Sequence, residues 1–255
     1  MKECIVVKCG GSMLDRLDSV FFGCIEQLVK KYRVIVVHGG GPEIDATLKR
    51  FNIPIEKKNG LRVTTKEVME VVQMVLCGSI NKKLVLNFQK HHLDAVGISG
   101  CDGQLLQVTP FGPKLGYVGE VRCVGTSLLK TLLERNYIPL IAPIGLSDGK
   151  LYNVNADTAA AGIAVAMGAK ELLFITDVDG VLCEGKLVKQ AGESELLHLI
   201  EQGVITGGMI PKVQAALTSL QMGVHHVSIV NGTKHFIEEM GEWRGTTVIK
   251  GVNIV

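Results

Sequence analysis

The sequence has 255 residues, 47% of them hydrophobic and 20% charged, with a formal net charge of +2. That length suits one large α/β domain or two intimate lobes, and the composition excludes a disordered chain. The charges are scattered, so nothing forms a basic footprint for nucleic acid, and no apolar run is long enough to span a bilayer.

The first residues, Met1-Lys2-Glu3, lead straight into a strand without a signal peptide. Cys4–Lys8 is apolar up to its lysine, and Cys9-Gly10-Gly11-Ser12 follows as a glycine loop. Leu14, Leu17, Val20, Phe21, Cys24, Ile25, Leu28 and Val29 recur at helical spacing and predict one long helix ending near Lys31. Val34–Val37 is a strand buried on both faces, which makes a right-handed βαβ unit with parallel strands. It runs into His38-Gly39-Gly40-Gly41-Pro42, a second glycine loop, with Pro42 starting a short helix, Glu43–Phe51. Strand, glycine loop and helix start together make an anion cradle at the carboxyl edge of a sheet.

Asn59-Gly60 signals a turn before a short strand at Leu61–Val63. Thr65 caps a helix from Lys66 to about Gln89, which Gly78-Ser79 bends. Its apolar positions (Val68, Val71, Val72, Val75, Leu76, Ile80, Leu84 and Leu86) cover more than one face, as in a deeply buried helix or an oligomer interface. Ala95–Ser99 is a strand. Leu105–Thr109 and Tyr117–Val124 form an antiparallel excursion over one end of the sheet. A helix, Thr126–Asn136, and a strand, Ile138–Ile141, complete the first half.

A soft boundary is expected near Asp148-Gly149, dividing lobes 1–148 and 149–255 with the sheet continuous across it. The second half offers an alanine-rich helix, Ala156–Ala169, and a buried strand, Leu172–Thr176, ending in the turn Asp177-Val178-Asp179-Gly180. Helices Ser194–Glu201 and Val213–Met222 and strands Val227–Val230 and Thr246–Ile249 follow. Asn231-Gly232-Thr233 reads as a chance glycosylation sequon. The seven cysteines are odd in number and form no CxxC pair, so they read as reduced thiols of a cytoplasmic protein.

Most familiar catalytic signatures are absent. There is no GxxxxGK[ST], no GxGxxG after a strand and no protein-kinase motif set. What remains is Lys8 at a strand end beside a glycine loop, Lys212 inside a helix introduced by Gly207-Gly208 and Pro211, and Asp157 at a helix start. Cations and backbone amides without a nucleophile describe phosphoryl transfer. His38 reads as structural.

Lys8-Cys-Gly-Gly-Ser, His38-Gly-Gly-Gly-Pro, Asn59-Gly-Leu-Arg-Val-Thr, Gly116-Tyr-Val-Gly, Asn153-Val-Asn-Ala-Asp, Thr176-Asp-Val-Asp-Gly-Val and Gly207-Gly-Met-Ile-Pro-Lys occur in that order. By their order and spacing the chain resembles the amino acid kinase family, and within it the members that phosphorylate N-acetyl-L-glutamate. The resemblance covers essentially the whole chain. It implies an open, mainly parallel central sheet sandwiched between helices, an αβα sandwich. The N-terminal lobe would bind the acceptor and dimerise, and the C-terminal lobe would bind ATP.

The implied reaction moves the γ-phosphoryl group of ATP to the γ-carboxylate of N-acetyl-L-glutamate, a step of arginine biosynthesis. Lys8 and Lys212 would stabilise the transferring phosphoryl, with Asp157 orienting both. Gly10, Gly11, Gly40 and Gly41 would offer backbone N–H groups. Arg62 would hold the acceptor α-carboxylate, and Asn153 and Asn155 its N-acetyl-amino-acid side. Thr176, Asp177, Val178, Asp179, Gly180 and Val181, with Ile205, Thr206, Gly207 and Met209, would line the nucleotide pocket. Mg2+ would be held mainly by the ATP phosphates, with no metal site on the protein. The first strand begins within three residues of Met1, so the N-terminal helix of arginine-inhibited hexameric relatives is missing, and an arginine-insensitive homodimer is expected. Two rivals are a sibling kinase acting on carrier-held N-acyl-aminoadipate and a non-catalytic amino-acid sensor. Arg62 and the asparagines suit a free α-carboxylate and an amide. A sensor would be expected to lack Lys8 or Lys212.

Overall fold

A computed structural model of the chain describes residues 2–238 and 242–250. Eight strands make the central sheet: β1 (Cys4–Cys9), β2 (Arg33–His38), β3 (Ala95–Ser99), β4 (Ile138–Ala142), β5 (Glu171–Thr176), β6 (Gln190–Gly192), β7 (His226–Asn231) and β8 (Gly245–Ile249). Their order is β6-β8-β7-β5-β1-β2-β4-β3. Six strands run parallel, while β8 opposes β7 and β6 runs parallel to β8. The sheet crosses from the first half of the chain to the second where β1 pairs with β5.

Both faces of the sheet are covered, which is why its strands read as unbroken apolar runs. Cys4 and Val6 of β1 face one core, and Ile5, Val7 and Cys9 the other. Helix α1 (Ser19–Lys31) and the continuous stretch α3 (Lys66–Gln73), a π-helical turn (Met74–Ile80) and α4 (Asn81–Lys90) serve the second core, as does α2 (Gly41–Arg50). Helices α5 (Ser127–Glu134), α6 (Ala156–Met167), α7 (Glu193–Glu201) and α8 (Met209–Gln221) serve the first. Lys8 follows the alternation of Cys4 and Val6, which brings its side chain to the α6 side.

Local chemistry sets the helix ends. The Asp18 carboxylate accepts hydrogen bonds from the Val20 and Phe21 amides, and Lys30 and Lys31 sit in the last turn of α1, where the dipole favours cations. The Thr65 hydroxyl accepts from the Val68 amide, as expected of a cap. Asn155 caps α6 through the Asp157 and Thr158 amides, and Gly168 closes it in a left-handed conformation. Gly162 lets α6 pack closely: a Cβ there would lie 3.0 Å from Val121 Cγ1.

Two expectations change, and one left open between burial and an interface is narrowed. The single long first helix is a 3-10 turn (Gly11–Arg16), an extended Leu17 and then α1, because Asp18 provides a local cap that competes with continuing the helix. The two-faced helix is mostly one subunit's own core: Val68, Val71, Val72, Val75, Leu76, Ile80 and Leu84 are buried, while Leu86 and Met74 are each 54% exposed. Asp148-Gly149 is the two-residue turn of a hairpin joining Ile144–Ser147 to Lys150–Asn153. Its φ values of 46° and 70° are those of a type I′ turn.

That hairpin joins Leu106–Pro110 and Gly119–Val124 in a second, four-stranded sheet. The approach of this sheet to the Arg62 segment explains Gly116. It has φ 69°, and a Cβ there would meet the Thr64 carbonyl oxygen, which accepts the Tyr117 amide at 2.7 Å.

Candidate active site

The carboxyl ends of three adjacent strands, β5, β1 and β2, converge on one region, as the open α/β architecture dictates. The N-termini of α2, α6 and α8 meet them there, and each brings the partial positive charge of a helix start. Three cavities lie in sequence along this edge.

The first, of about 390 Å³, is walled by both glycine loops. Gly10, Gly11, Gly40 and Gly41 line it, and so do Arg62, Asn153 and Asn155. A Cβ on Gly11 would lie 2.9 Å from the Gly40 and Gly41 nitrogens and from Pro42 Cδ, so the two loops approach too closely for a side chain at Gly11. Arg62 is 9% exposed, and its Nη1 is paired with the Asp45 carboxylate. Burial raises the Asp45 pKa, but hydrogen bonds from Arg62 and Lys57 outweigh it and hold this carboxyl below the ordinary range. The Asn153 amide donates to the Thr64 hydroxyl at 3.3 Å. The Asn155 side-chain oxygen is occupied with capping α6, accepting from the Asp157 amide at 2.8 Å.

The second cavity, of about 160 Å³, shares Lys8, Gly10, Ser12 and Asp157 with the first and adds Thr176, Asp177 and Lys212. Lys8 Nζ lies 2.7 Å from Asp157 Oδ1 and 5.8 Å from the centre of the Phe174 ring. Lys212 is not held by Asp157. Its ammonium donates to the Gly208 carbonyl at 3.1 Å and stands 3.7 Å from Asp177 Oδ1, so Asp157 contacts Lys8 and not Lys212, unlike the expected arrangement in which it orients both. The sequence pattern marks all three residues but carries no distance between them. Cys9, between Lys8 and the glycines, is 1% exposed, and burial pushes its thiol to about 12 with Lys8 only partly opposing, so it stays protonated.

The third cavity, of about 570 Å³, begins at Asp177 and takes in Val178, Asp179 and Gly180. Ile205, Thr206 and Met209 form its other side. Three expected members fall outside, and the first of them, Thr176, lines the second cavity instead. Val181 is fully buried in the core, with its amide donating to the Thr246 hydroxyl, because the turn carries it under the sheet. Gly207 sits in an exposed turn at φ 54° and does not line the cleft.

Sequence reasoning passed over several lining groups. Asn231 and Lys234 reach the third cavity, and both bond Asp179 at 2.7 Å. The Lys234 bond, with that from Asn231, holds the Asp179 carboxyl below its usual range. The signal was Asn231-Gly232-Thr233 after a buried strand, the same strand-then-glycine device as the two earlier loops. Arg16 Nη1, 3.4 Å from Asp177 Oδ2, carried no such signal.

Such an edge can hold two anions face to face and screen their repulsion with fixed charge. The chain matches the amino acid kinase family over residues 3–231. The chain belongs to the amino acid kinase family. Among members, it is similar to acetylglutamate kinase of Bacillus cereus (strain ATCC 10987 / NRS 248), at 69% identity over 254 residues covering 100% of each chain. The crystal structure of smu.665 from Streptococcus mutans UA159 superposes with a TM-score of 0.84 at 30% identity, covering 98% of this chain and 100% of that one. N-acetylglutamate synthase from Neisseria gonorrhoeae, complexed with coenzyme A and N-acetyl-glutamate, shares the fold at a TM-score of 0.82 and 24% identity, covering 98% of this chain and 60% of that one. The open, mainly parallel sheet between helices is thus this kinase family's architecture.

Proposed function

We propose that the chain transfers the γ-phosphoryl group of ATP to the γ-carboxylate of N-acetyl-L-glutamate, giving an acyl phosphate in arginine biosynthesis. The observation that carries this reading is the row of three cavities with a lysine at each junction. Lys8 is shared by the first and second, and Lys212 stands against Asp177, which is shared by the second and third. The 69% identity to an acetylglutamate kinase over the full length supports the choice of acceptor.

A carboxylate is ionised at neutral pH and needs no general base to attack phosphorus. The barrier to overcome is its repulsion from a polyphosphate and the cost of alignment. The first cavity would hold the acceptor, with Arg62 on its α-carboxylate. A guanidinium fork suits that bidentate task better than an ammonium. The Gly11, Gly40 and Gly41 amides and Lys8 would face the migrating group from the acceptor side, and Lys212 and the α8 N-terminus from the ATP side.

Magnesium supplies charge neutralisation to the phosphates when bound. Both aspartates of the nucleotide cleft are engaged by cations, Asp177 by Arg16 and Lys212 and Asp179 by Lys234. The ion's ligands would therefore come mainly from ATP. No helix among the described residues is long and apolar enough to cross a membrane, and we place the enzyme in the cytoplasm. The exposed Met74 and Leu86 support a homodimer formed through the α3–α4 stretch, to be read by sedimentation as twice the chain mass. The functional test is ATP turnover with N-acetyl-L-glutamate as acceptor.

A further inference from the structure

We propose that His38 and Asn81 form a buried positioning pair that aims the Gly40 amide at the transferring group. This role rests on the kinase reading of the site. Among the described residues His38 is fully buried and Asn81 is 1% exposed, so their polar atoms need protein partners.

The partners fix the imidazole tautomer. The Asn81 Nδ2 lies 2.9 Å from the Leu140 carbonyl and 3.3 Å from that of Ile98, and carbonyls only accept. Its Oδ1 faces the Lys82 ammonium at 3.0 Å, which only donates. These neighbours set the orientation of the amide. The same Nδ2 lies 3.2 Å from His38 Nε2, so its two hydrogens are shared among three acceptors; an amide nitrogen does not accept, so Nε2 is the acceptor and the ring proton sits on Nδ1. Nδ1 lies 3.0 Å from the Gly39 carbonyl and donates to it. Burial pulls the imidazole down to about 4, so the ring is neutral at physiological pH and Nε2 keeps its lone pair.

The consequence for the loop is geometric. Peptide planarity ties the Gly39 carbonyl to the Gly40 N–H, which points the opposite way. Holding the carbonyl on His38 turns the Gly40 N–H outward, to the side where Gly11 approaches both Gly40 and Gly41 nitrogens. A triglycine loop has the widest conformational freedom of any sequence and would otherwise leave the Gly40 donor unaimed, whereas the Gly41 amide is set by the bond from the Ile44 amide to the Gly40 carbonyl. Asn81 follows directly on the π-helical turn that presents Leu76 to the acceptor cavity. Through its bonds to β3 and β4 it anchors the loop to the rigid sheet.

The test compares two substitutions that split the two ring nitrogens. In His38→Asn the side-chain amide reaches the place of Nδ1, and in His38→Gln it reaches the place of Nε2. His38→Asn keeps the donor to the Gly39 carbonyl but loses the Asn81 anchor and is expected to lose about three- to tenfold in kcat, and His38→Gln, which keeps only the Asn81 side, about 30–100-fold, with the KM for ATP unchanged in both. Equal kcat in the two variants would overturn the proposal, because loss of ring packing is common to both. If neither folds, nitrogen-15 NMR of His38 in the wild-type protein decides: an Nδ1–H neutral ring supports the pair, and an Nε2–H or doubly protonated ring refutes it. The NMR readout needs no substrate. An Nδ1–H ring in a protein that does not phosphorylate N-acetyl-L-glutamate would leave the pair standing and remove the kinase reading.

Discussion

Asp157 pairs with Lys8 at 2.7 Å and leaves Lys212 to Asp177, 3.7 Å away. The helix-start carboxylate therefore restrains one lysine only, the one reached from the end of β1. The second lysine is restrained by its own helix, through the Gly208 carbonyl.

This asymmetry predicts a pattern of losses. Lys8→Ala should lower kcat by about 10²–10³-fold, the size expected for removing one charge-stabilising donor. Its melting temperature should stay close to wild type, since a lysine at a strand end supports little core. The kcat losses of Lys8→Ala and Asp157→Asn should overlap in the double variant, whereas Lys212→Ala should add to Asp157→Asn. Steady-state kinetics of the single and double variants decide; Lys212 and Asp157 losses that overlap would restore an orienting role for Asp157 on both lysines.

Gly40 and Gly41 should separate. A Cβ on Gly40 would fall 2.3 Å from Ile80 Cδ1 and 2.6 Å from Leu76 Cδ2, forcing both side chains to move. Gly40→Ala should cost about 1–3 kcal/mol of stability and raise the acceptor KM, because Leu76 lines that cavity. Nothing lies within 4 Å of a Cβ on Gly41. Gly41→Ala should keep wild-type stability and still lose kcat, since only a bound substrate would meet the methyl group. Full activity in Gly41→Ala would show that the reacting groups do not approach this amide.

Arg62→Lys should raise the acceptor KM about tenfold with little change in the KM for ATP. The lysine keeps the charge but loses the fork that serves Asp45 and a carboxylate together. An unchanged acceptor KM would remove the clamp.

Two buried titratable groups oppose each other in pH. Burial pushes Glu171 up to about 7, against hydrogen bonds from Ser228 and Trp243, and pulls His38 down to about 4. The folded state keeps the Glu171 proton to higher pH than the unfolded chain, so that contribution is present below about pH 4.5 and lost as pH rises through 7. The unfolded chain protonates His38 near 6.5, so its contribution is present above that pH and lost as pH falls toward 4. Glu171→Gln removes the first slope. Relative to wild type, the variant should gain about 3 kcal/mol between pH 4.5 and 7 in urea unfolding. A difference that does not change with pH would mean that the carboxyl titrates normally.

Much of the fold was legible because the strands are buried on both faces and each is followed by a helix start: β1, β2 and β5 were found from apolar runs ending in Lys8, His38 and Thr176. The ordered motifs mark Lys8, Arg62, Asp157 and Lys212. What escaped depends on contacts between distant residues. The His38–Asn81 bond spans 43 positions, and neither residue belongs to a periodic signal that names the other. The choice of Asp177 for Lys212 is set by where α8 starts. Val181 reads as one more turn residue, yet the chain carries it into the core. The Asp148-Gly149 hairpin was within reach, since Asp-Gly between short apolar runs is a strong turn signal.

The most direct measurement is to incubate the protein with ATP, magnesium and N-acetyl-L-glutamate, follow ADP release, and trap the acyl phosphate as its hydroxamate with hydroxylamine. The site as described predicts stoichiometric ADP and hydroxamate that depend on N-acetyl-L-glutamate. No product with this acceptor, together with turnover on a longer or carrier-held carboxylate, would contradict it.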